Sequence, residues 1–149
     1  MAFITILGSF MTIIIPDSCF VETIEINIHT MWLHCGSFVV SVYLLMSGTV
    51  EINKKNLMNS FKVFLVFVFL AEVLNIAIYK SGILNSETFN MFYISPYFTS
   101  TLPVFDIIQS NVPFIIYLMT YIFAIGLGSI VVYYIAYFIK LIIGNGVNL

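Results

Sequence analysis

The stretch FKVFLVFVFLAEVLNIAIY, residues Phe61–Tyr79, decides the class of this protein. At about 1.5 Å per residue it is long enough to cross the roughly 30 Å hydrocarbon core of a bilayer. Its only charged residues are Lys62, near the start, and Glu72, within the run. An ionisable group inside a membrane is costly and usually faces a protein interior or a wet cavity. Glu72 is therefore the first place to look for function.

The composition of the whole chain also indicates membrane residence. Of its 149 residues, 61% are hydrophobic and 8% are charged, with a mean hydropathy of +1.09. Soluble domains contain about 25% charged residues. The five basic residues are lysines and form no cluster that could bind nucleic acid, so no nucleic-acid partner is expected. The two cysteines lack metal-ligand spacing, and we expect no metal and no cofactor.

Four apolar segments predict an all-α polytopic bundle of transmembrane helices, in a single membrane domain over residues 1–149. Three segments have full spanning length, and the N-terminal one is short or truncated. The predicted bounds are residues 2–15, 28–46, 61–79 and 112–141, with an external aromatic loop over residues 80–111. Within that loop, Val104–Gln109 predicts a short amphipathic helix. A loop so rich in aromatic residues is expected to pack over the helices.

The lysines predict the orientation of the helices. Lys54, Lys55 and Lys62 lie at the connection between the second and third spans, and Lys140 lies at the end of the fourth. The connection after the first span instead carries acidic residues. Lysines concentrate on the cytoplasmic side of a membrane. Both termini are therefore predicted to be cytoplasmic, in a multi-pass protein of the cell membrane, with Lys80 as the single exception.

Polar residues form a stripe on each of two neighbouring spans. On the second span their 3-4-3-4 spacing places five residues on one helical face: Asn27, Thr30, His34, Ser37 and Ser41. On the third span Glu72, Asn75 and Tyr79 repeat the pattern. His34 and Glu72 each lie seven residues from the predicted outer end of their span. Antiparallel packing would place both about 10 Å below the outer boundary.

Two interpretations of His34 and Glu72 stay open. An imidazole that faces a carboxylate could share a proton with it, relay protons, or act as acid and base. On this interpretation the two are candidate catalytic residues. Alternatively, polar residues between membrane helices simply stabilise the bundle by hydrogen bonding, at about 1 kcal/mol each. On the fourth span, Ala124 and Gly128 have a small-xxx-small spacing that lets another helix approach closely.

The aromatic loop carries a resemblance to a known family. The string Asn90–Pro96 (NMFYISP), followed by Thr101–Asp106 (TLPVFD), resembles the N-Y-M-F/Y…T-L-x-x-x-D signature of YwaF-type bacterial integral membrane proteins. His34, followed nine residues later by Tyr43, looks like the H-G-x7-Y span of that family, with Cys35 in place of the usual glycine. The resemblance covers most of the chain, from residue 16 to residue 143.

The resemblance implies a ligand site and a partner. A polar pocket beneath the loop would bind membrane lipid or a small polar ligand, and four residues would contribute to it: Tyr43, Asn75, Asn90 and Asp106. Members of the family are longer and have more spans. The chain is therefore expected to be the C-terminal part of such a protein, lacking an N-terminal half, or to form a homo-oligomer.

The resemblance also bears on activity, which is unassigned within the family itself. Distant eukaryotic relatives are regarded as lipid acyltransferases, which implies acyl transfer on a membrane lipid with His34 as base and Glu72 orienting it. Neither Cys19 nor Cys35 matches the cysteine motif associated with that chemistry, so no nucleophile is evident. Two further functions stay open, a small proton-coupled transporter that works through Glu72, and an accessory membrane subunit.

Overall fold

The computed structural model describes residues 1–16, 24–84 and 88–146. In these residues the chain forms α1 (Ala2–Ile14), α2 (Ile24–Met46), α3 (Lys54–Ser81), α4 (Phe105–Asn111) and α5 (Phe114–Gly146). A short 3₁₀ turn, Met91–Tyr93, lies between α3 and α4, and the described residues include no strand. The predicted all-α class is confirmed. Cys19 and the acidic residues predicted between the first two spans at positions 17 and 22 lie outside the described residues.

Three of these helices are long and apolar enough to cross a membrane, namely α2, α3 and α5 as far as Ile143. Large apolar side chains point away from the protein along all three, for example Trp32 at 79% exposure, Phe69 at 66% and Phe123 at 66%. Lipid tails, which are themselves apolar, favour such surfaces. The helices therefore fit an integral membrane protein, as predicted. The 13 residues of α1 form the shorter apolar helix.

The third span begins earlier than its apolar run predicts. α3 starts at Lys54 rather than at Phe61 because Asn53 caps it. The Asn53 Oδ1 atom accepts a hydrogen bond of 2.7 Å from the backbone N–H of Asn56, which satisfies one of the free donors of the first turn. A capped polar turn thus precedes the apolar part of the helix, which continues to Ser81.

The other predicted bounds shift by a few residues. α2 is described from Ile24, and α5 runs from Phe114 to Gly146. The predicted amphipathic helix is present as α4, but it begins after Val104 rather than at it. The φ of Val104 is 73°, which lies in the left-handed region and cannot be part of an α-helix.

The chain divides into two compact units. Unit 1 consists of Met1–Val63 and Ile125–Leu149, and unit 2 consists of Phe64–Ala124. Each of the two longest helices, α3 and α5, contributes one part to unit 1 and the other part to unit 2.

In unit 1, the short helix α1 packs against its neighbours through aromatic rings. Phe10 stacks on Phe38 of α2, with ring centroids 6.2 Å apart. Phe3 is fully buried and meets the ring of Tyr133 of α5 edge-on at 5.7 Å. Leu45 of α2 is buried in the same cluster. α1 is therefore anchored on two sides despite being too short to cross a bilayer.

A glycine lets α1 approach α5 closely, as the small-xxx-small spacing predicts. A Cβ atom at Gly128 would lie 2.5 Å from Cδ2 of Leu7 of α1, well inside van der Waals contact. At Gly126 a Cβ atom would lie 3.2 Å from the ring of Phe61 of α3. The prediction is confirmed for Gly128.

The lysines gather at one end of unit 1, which we call the lysine end. Lys54 and Lys55 lie in the first turn of α3, and Lys140 lies near the end of α5. A Cβ atom at Gly48, in the turn between α2 and α3, would lie 3.4 Å from Lys140 Nζ. This clustering agrees with the lysine distribution from which the orientation was predicted. The side of the membrane that this end faces stays a prediction.

Candidate functional site

Unit 2 contains the aromatic loop, residues 88–104, and Asn75 holds it against α3. The side chain of Asn75 is fully buried. Its Nδ2 atom donates to the carbonyl of Met91 at 3.1 Å, and its Oδ1 atom accepts from the N–H of Met91 at 2.8 Å. Two hydrogen bonds to one residue fix both the position and the orientation of the loop backbone there.

Two further side-chain amides hold the rest of the loop. Asn90 Oδ1 accepts from the N–H of Ser95 at 2.7 Å, and Asn90 Nδ2 donates to the carbonyl of Phe98 at 3.2 Å. Gln109 of α4 accepts from the N–H of Ser100 at 2.6 Å and donates to the carbonyl of Ser95 at 2.9 Å. We call Asn75, Asn90 and Gln109 the loop amides. They supply the partners that irregular backbone needs where water is scarce.

Aromatic rings cover the same loop. Tyr79 of α3 stacks on Tyr97 with centroids 3.7 Å apart and planes inclined by 8°, and Phe98 meets Tyr79 edge-on at 5.8 Å. Phe92 lies over Phe64 at 6.5 Å. The loop therefore packs on the part of α3 that belongs to unit 2. This confirms, for that part, the prediction that the loop packs over the helices.

The loop contains two strained residues in succession. Phe92 and Tyr93 have φ values of 58° and 61°, in the left-handed region that side chains other than glycine rarely adopt. Each costs about 1–2 kcal/mol. The hydroxyl of Tyr117 of α5 donates to the carbonyl of Tyr93 at 2.5 Å, and the Met91 backbone just before is held by Asn75. The surrounding hydrogen bonds therefore maintain the strained turn.

We expect Tyr117→Phe to loosen the aromatic loop while leaving the helices in place. The change removes the hydroxyl that donates to the Tyr93 carbonyl but keeps the ring that packs on Phe105. The expected loss is one buried hydrogen bond, about 1–2 kcal/mol of unfolding free energy. Thermal unfolding in detergent measures it, with Tyr134→Phe, an exposed site on α5, as the control. A melting temperature equal to that of the wild type would show that the bond contributes nothing.

Glu72 and Asp106 both lie in unit 2, and each has a carboxylate oxygen that makes no hydrogen bond to the described residues. Glu72 lies one turn before Asn75 on α3 and is partly buried. Its Oε2 atom, like the Oδ1 atom of Asp106 on α4, is buried and has no hydrogen-bond partner within the described residues. A buried carboxylate oxygen that makes no hydrogen bond costs free energy. A cation or a hydrogen-bond donor placed beside either atom would recover that cost.

His34 lies in unit 1, on the predicted polar face of α2. That face points into the protein as expected, since Ser41 is buried and the other four members are partly buried. Tyr43 lies on another face of α2 and is 66% exposed. His34 and Glu72 belong to different units, so their pairing stays a prediction, as does a catalytic role for either.

The structure gives the remaining predicted site residues a clear local role. Asn75 and Asn90 lie close together through the Met91 backbone, but their amides are engaged with the loop. Ligand binding by either stays a prediction. Sequence reasoning missed Gln109 and Tyr117. The one signal for Gln109 was its place four residues after Phe105, which puts both residues on the same face of α4.

The residues that could hold a metal or act as a nucleophile are few. Among residues 1–16, 24–84 and 88–146, no three His, Cys, Asp or Glu side chains come together as a metal-ligand set. Cys35 is a free thiol exposed on α2. No family model, curated protein or solved structure matches the chain. The geometry of unit 2 is therefore the basis for a functional proposal.

Proposed function

We propose that this membrane protein binds a small monovalent cation through Glu72, in a polar pocket that the aromatic loop covers. The observation that carries the proposal is the buried Oε2 atom of Glu72, which lacks a hydrogen-bond partner within the described residues. Carboxylates inside membrane helices are costly and usually serve ions, protons or ligands. The Oδ1 atom of Asp106 is also buried and without a hydrogen-bond partner among the described residues. Asp106 is therefore the second residue that could contact the cation.

The charge and number of the available groups favour a monovalent ligand. Calcium takes six to eight oxygen ligands, and magnesium demands a near-ideal octahedron. No three acidic, histidine or cysteine side chains converge in the part of the chain that is described. A sodium, potassium or ammonium ion needs a single carboxylate supplemented by neutral oxygens.

The loop amides support the same proposal in a different way. Asn75, Asn90 and Gln109 hold residues 88–104 against α3 and α4. The aromatic loop therefore keeps one conformation. A preformed site loses less conformational entropy on binding than a mobile one. In this proposal the loop amides position the aromatic loop and do not contact the cation.

We also propose that the YwaF-type resemblance reflects a related outer region. Two residues of the resembling strings, Asn90 and Asp106, lie in unit 2. Asn90 holds the loop, and the Oδ1 atom of Asp106 has no hydrogen-bond partner within the described residues. Acyl transfer with His34, which lies in unit 1, as base stays a prediction.

Glu72→Gln is expected to abolish stabilisation by a small cation. The wild-type protein in lipid nanodiscs should gain several degrees in melting temperature in sodium, potassium or ammonium chloride, relative to N-methylglucamine chloride at the same ionic strength. A ligand at 100 times its Kd stabilises a protein by about 2.7 kcal/mol. Glu72→Gln should lose this gain, and Glu25→Gln, a change of an exposed carboxylate on α2, should keep it. A gain that survives in Glu72→Gln, or no gain in the wild type, would rule the proposal out.

Proton-coupled transport is the second candidate, since Glu72 lies within a helix of spanning length. Its distinguishing result is cation-dependent proton movement in liposomes that enclose a pH-sensitive dye. Flux that disappears in Glu72→Gln would favour transport. Cation-dependent stabilisation without flux would favour a binding protein or an accessory subunit.

A further inference from the structure

A second polar site lies at the lysine end of unit 1, far along the sequence from the residues of the proposed cation site. A groove of about 430 Å³ opens there between the α2–α3 turn and α5. Its lining residues are Glu51, Ile52, Asn53, Tyr137, Lys140 and Leu141. Ligand sites typically have volumes of about 300–1,000 Å³, so the groove has room for a phospholipid headgroup.

The two walls of this groove carry opposite charges. The turn contributes the carboxylate of Glu51, whose Oε2 atom accepts a hydrogen bond of 2.8 Å from Asn53 Nδ2. α5 contributes the ammonium of Lys140. Asn53 thus holds Glu51 in place while it also caps α3 through its Oδ1 atom. A ligand that carries both a phosphate and an ammonium group would match the two walls.

The Lys140 ammonium lies directly beside the turn. A Cβ atom at Gly48 would lie 3.4 Å from Lys140 Nζ, which is van der Waals contact. Gly48 has a φ of 79°, a conformation in which side chains are disfavoured. Lys54 and Lys55 lie nearby in the first turn of α3, which contains no acidic residue. The surroundings of the groove therefore carry a positive field that attracts phosphate.

The groove lies where a headgroup would be found. The spans α2 and α5 end near it and α3 begins there, which places it at the membrane–water boundary. Ile52 and Leu141 give it apolar edges, and Tyr137 is the kind of residue enriched at that boundary. A lipid seated here could keep its acyl chains in the bilayer while its headgroup lies between Glu51 and Lys140.

We propose that this groove binds the headgroup of an ethanolamine phospholipid, with Lys140 at the phosphate and Glu51 at the primary ammonium. The ammonium of phosphatidylethanolamine has N–H donors for the Glu51 carboxylate. Phosphatidylcholine has the same charges but no N–H donor, and phosphatidylglycerol has a phosphate but no cation. The groove therefore selects phosphatidylethanolamine over both.

Native mass spectrometry of the full chain in detergent, with the three lipids at equal concentration, tests this selectivity. We expect phosphatidylethanolamine adducts to exceed phosphatidylcholine adducts about tenfold. Glu51→Gln should remove that preference and raise phosphatidylglycerol binding, while Lys140→Gln should weaken binding of all three lipids. Lys80→Gln, at the far end of α3, should change nothing. Inorganic phosphate and ethanolamine, added separately as competitors, should displace the lipid poorly if the intact headgroup is the ligand.

Equal wild-type binding of phosphatidylethanolamine and phosphatidylcholine would overturn the proposal. So would a lipid preference unchanged in both Glu51→Gln and Lys140→Gln, or full displacement of the lipid by inorganic phosphate alone. Both residues are exposed, so their variants should fold, and melting temperatures in detergent confirm this. Glu72→Gln should retain the lipid preference. The lipid proposal and the cation proposal can therefore be refuted separately.

Discussion

Asn75→Leu is expected to lower the unfolding free energy by about 2–3 kcal/mol and to free the aromatic loop. Leucine has the same branching at Cγ and the same number of heavy atoms as asparagine, so this fully buried position stays filled. Both hydrogen bonds to Met91 are lost, however: the part-buried N–H of that residue loses the Asn75 oxygen, and its carbonyl keeps the N–H of Ile94 at 3.5 Å. Each buried backbone group left unsatisfied costs about 1–3 kcal/mol. The strained turn at Phe92 and Tyr93 loses its support at the same time.

Two measurements separate loss of the loop from general unfolding. Chymotrypsin cleaves after aromatic residues, and residues 88–104 contain several, so the loop of Asn75→Leu should be cut much faster than that of the wild type. Thermal unfolding in detergent reports the global effect. The control is Asn111→Leu, an exposed position on α4 whose Nδ2 atom bonds within its own helix to the carbonyl of Ile107 at 2.7 Å. If Asn75→Leu and Asn111→Leu are cleaved at equal rates, Asn75 does not hold the loop.

The spanning helices could be predicted because their signal is local. The apolar run Phe61–Tyr79 identifies α3 without any knowledge of its neighbours. Its start at Lys54 depends instead on Asn53, whose side chain caps a polar turn that hydropathy does not detect. Likewise, the aromatic content of the loop predicts that it packs on the helices. The left-handed φ of Val104, which delays the start of α4, has no signal in residue type.

The loop amides show why a site built on backbone contacts is hard to predict from sequence. Asn75 bonds to a residue 16 positions away, and its partner atoms are backbone groups that every residue possesses. The polar stripe indicates that Asn75 is buried but not what it binds. Glu72 could be singled out by its cost in a membrane, whereas only the structure shows that its Oε2 atom has no hydrogen-bond partner among the described residues. The predicted pairing with His34 depends on how two separate helices lie, which periodicity does not determine.

Gly128→Val is expected to lower the unfolding free energy by about 2–3 kcal/mol, the cost typical of overpacking a tight contact. A Cβ atom there would lie 2.5 Å from Cδ2 of Leu7, closer than real carbon atoms approach, and 3.1 Å from Cδ1, and valine adds two further carbons. The Leu7 side chain must turn aside, and it lies one turn along α1 from Phe3, which is fully buried against Tyr133. Thermal unfolding in detergent measures the loss. Gly36→Val is the matched control, because a Cβ atom at Gly36 of α2 meets nothing within 4 Å.

A double-mutant cycle with Leu7→Ala tests the contact itself. Leu7→Ala alone removes part of a half-buried side chain and should destabilise the protein modestly. It also empties the space that the valine needs, so adding it to Gly128→Val should restore stability rather than reduce it further. Residues in direct contact show coupling energies of about 0.5–3 kcal/mol. We expect a value in the upper half of that range, with the double variant more stable than the sum of the two single losses predicts. If the two losses simply add, Leu7 and Gly128 are not in contact. The short helix α1 would then be held to α5 by the Phe3–Tyr133 rings without close approach of the two backbones.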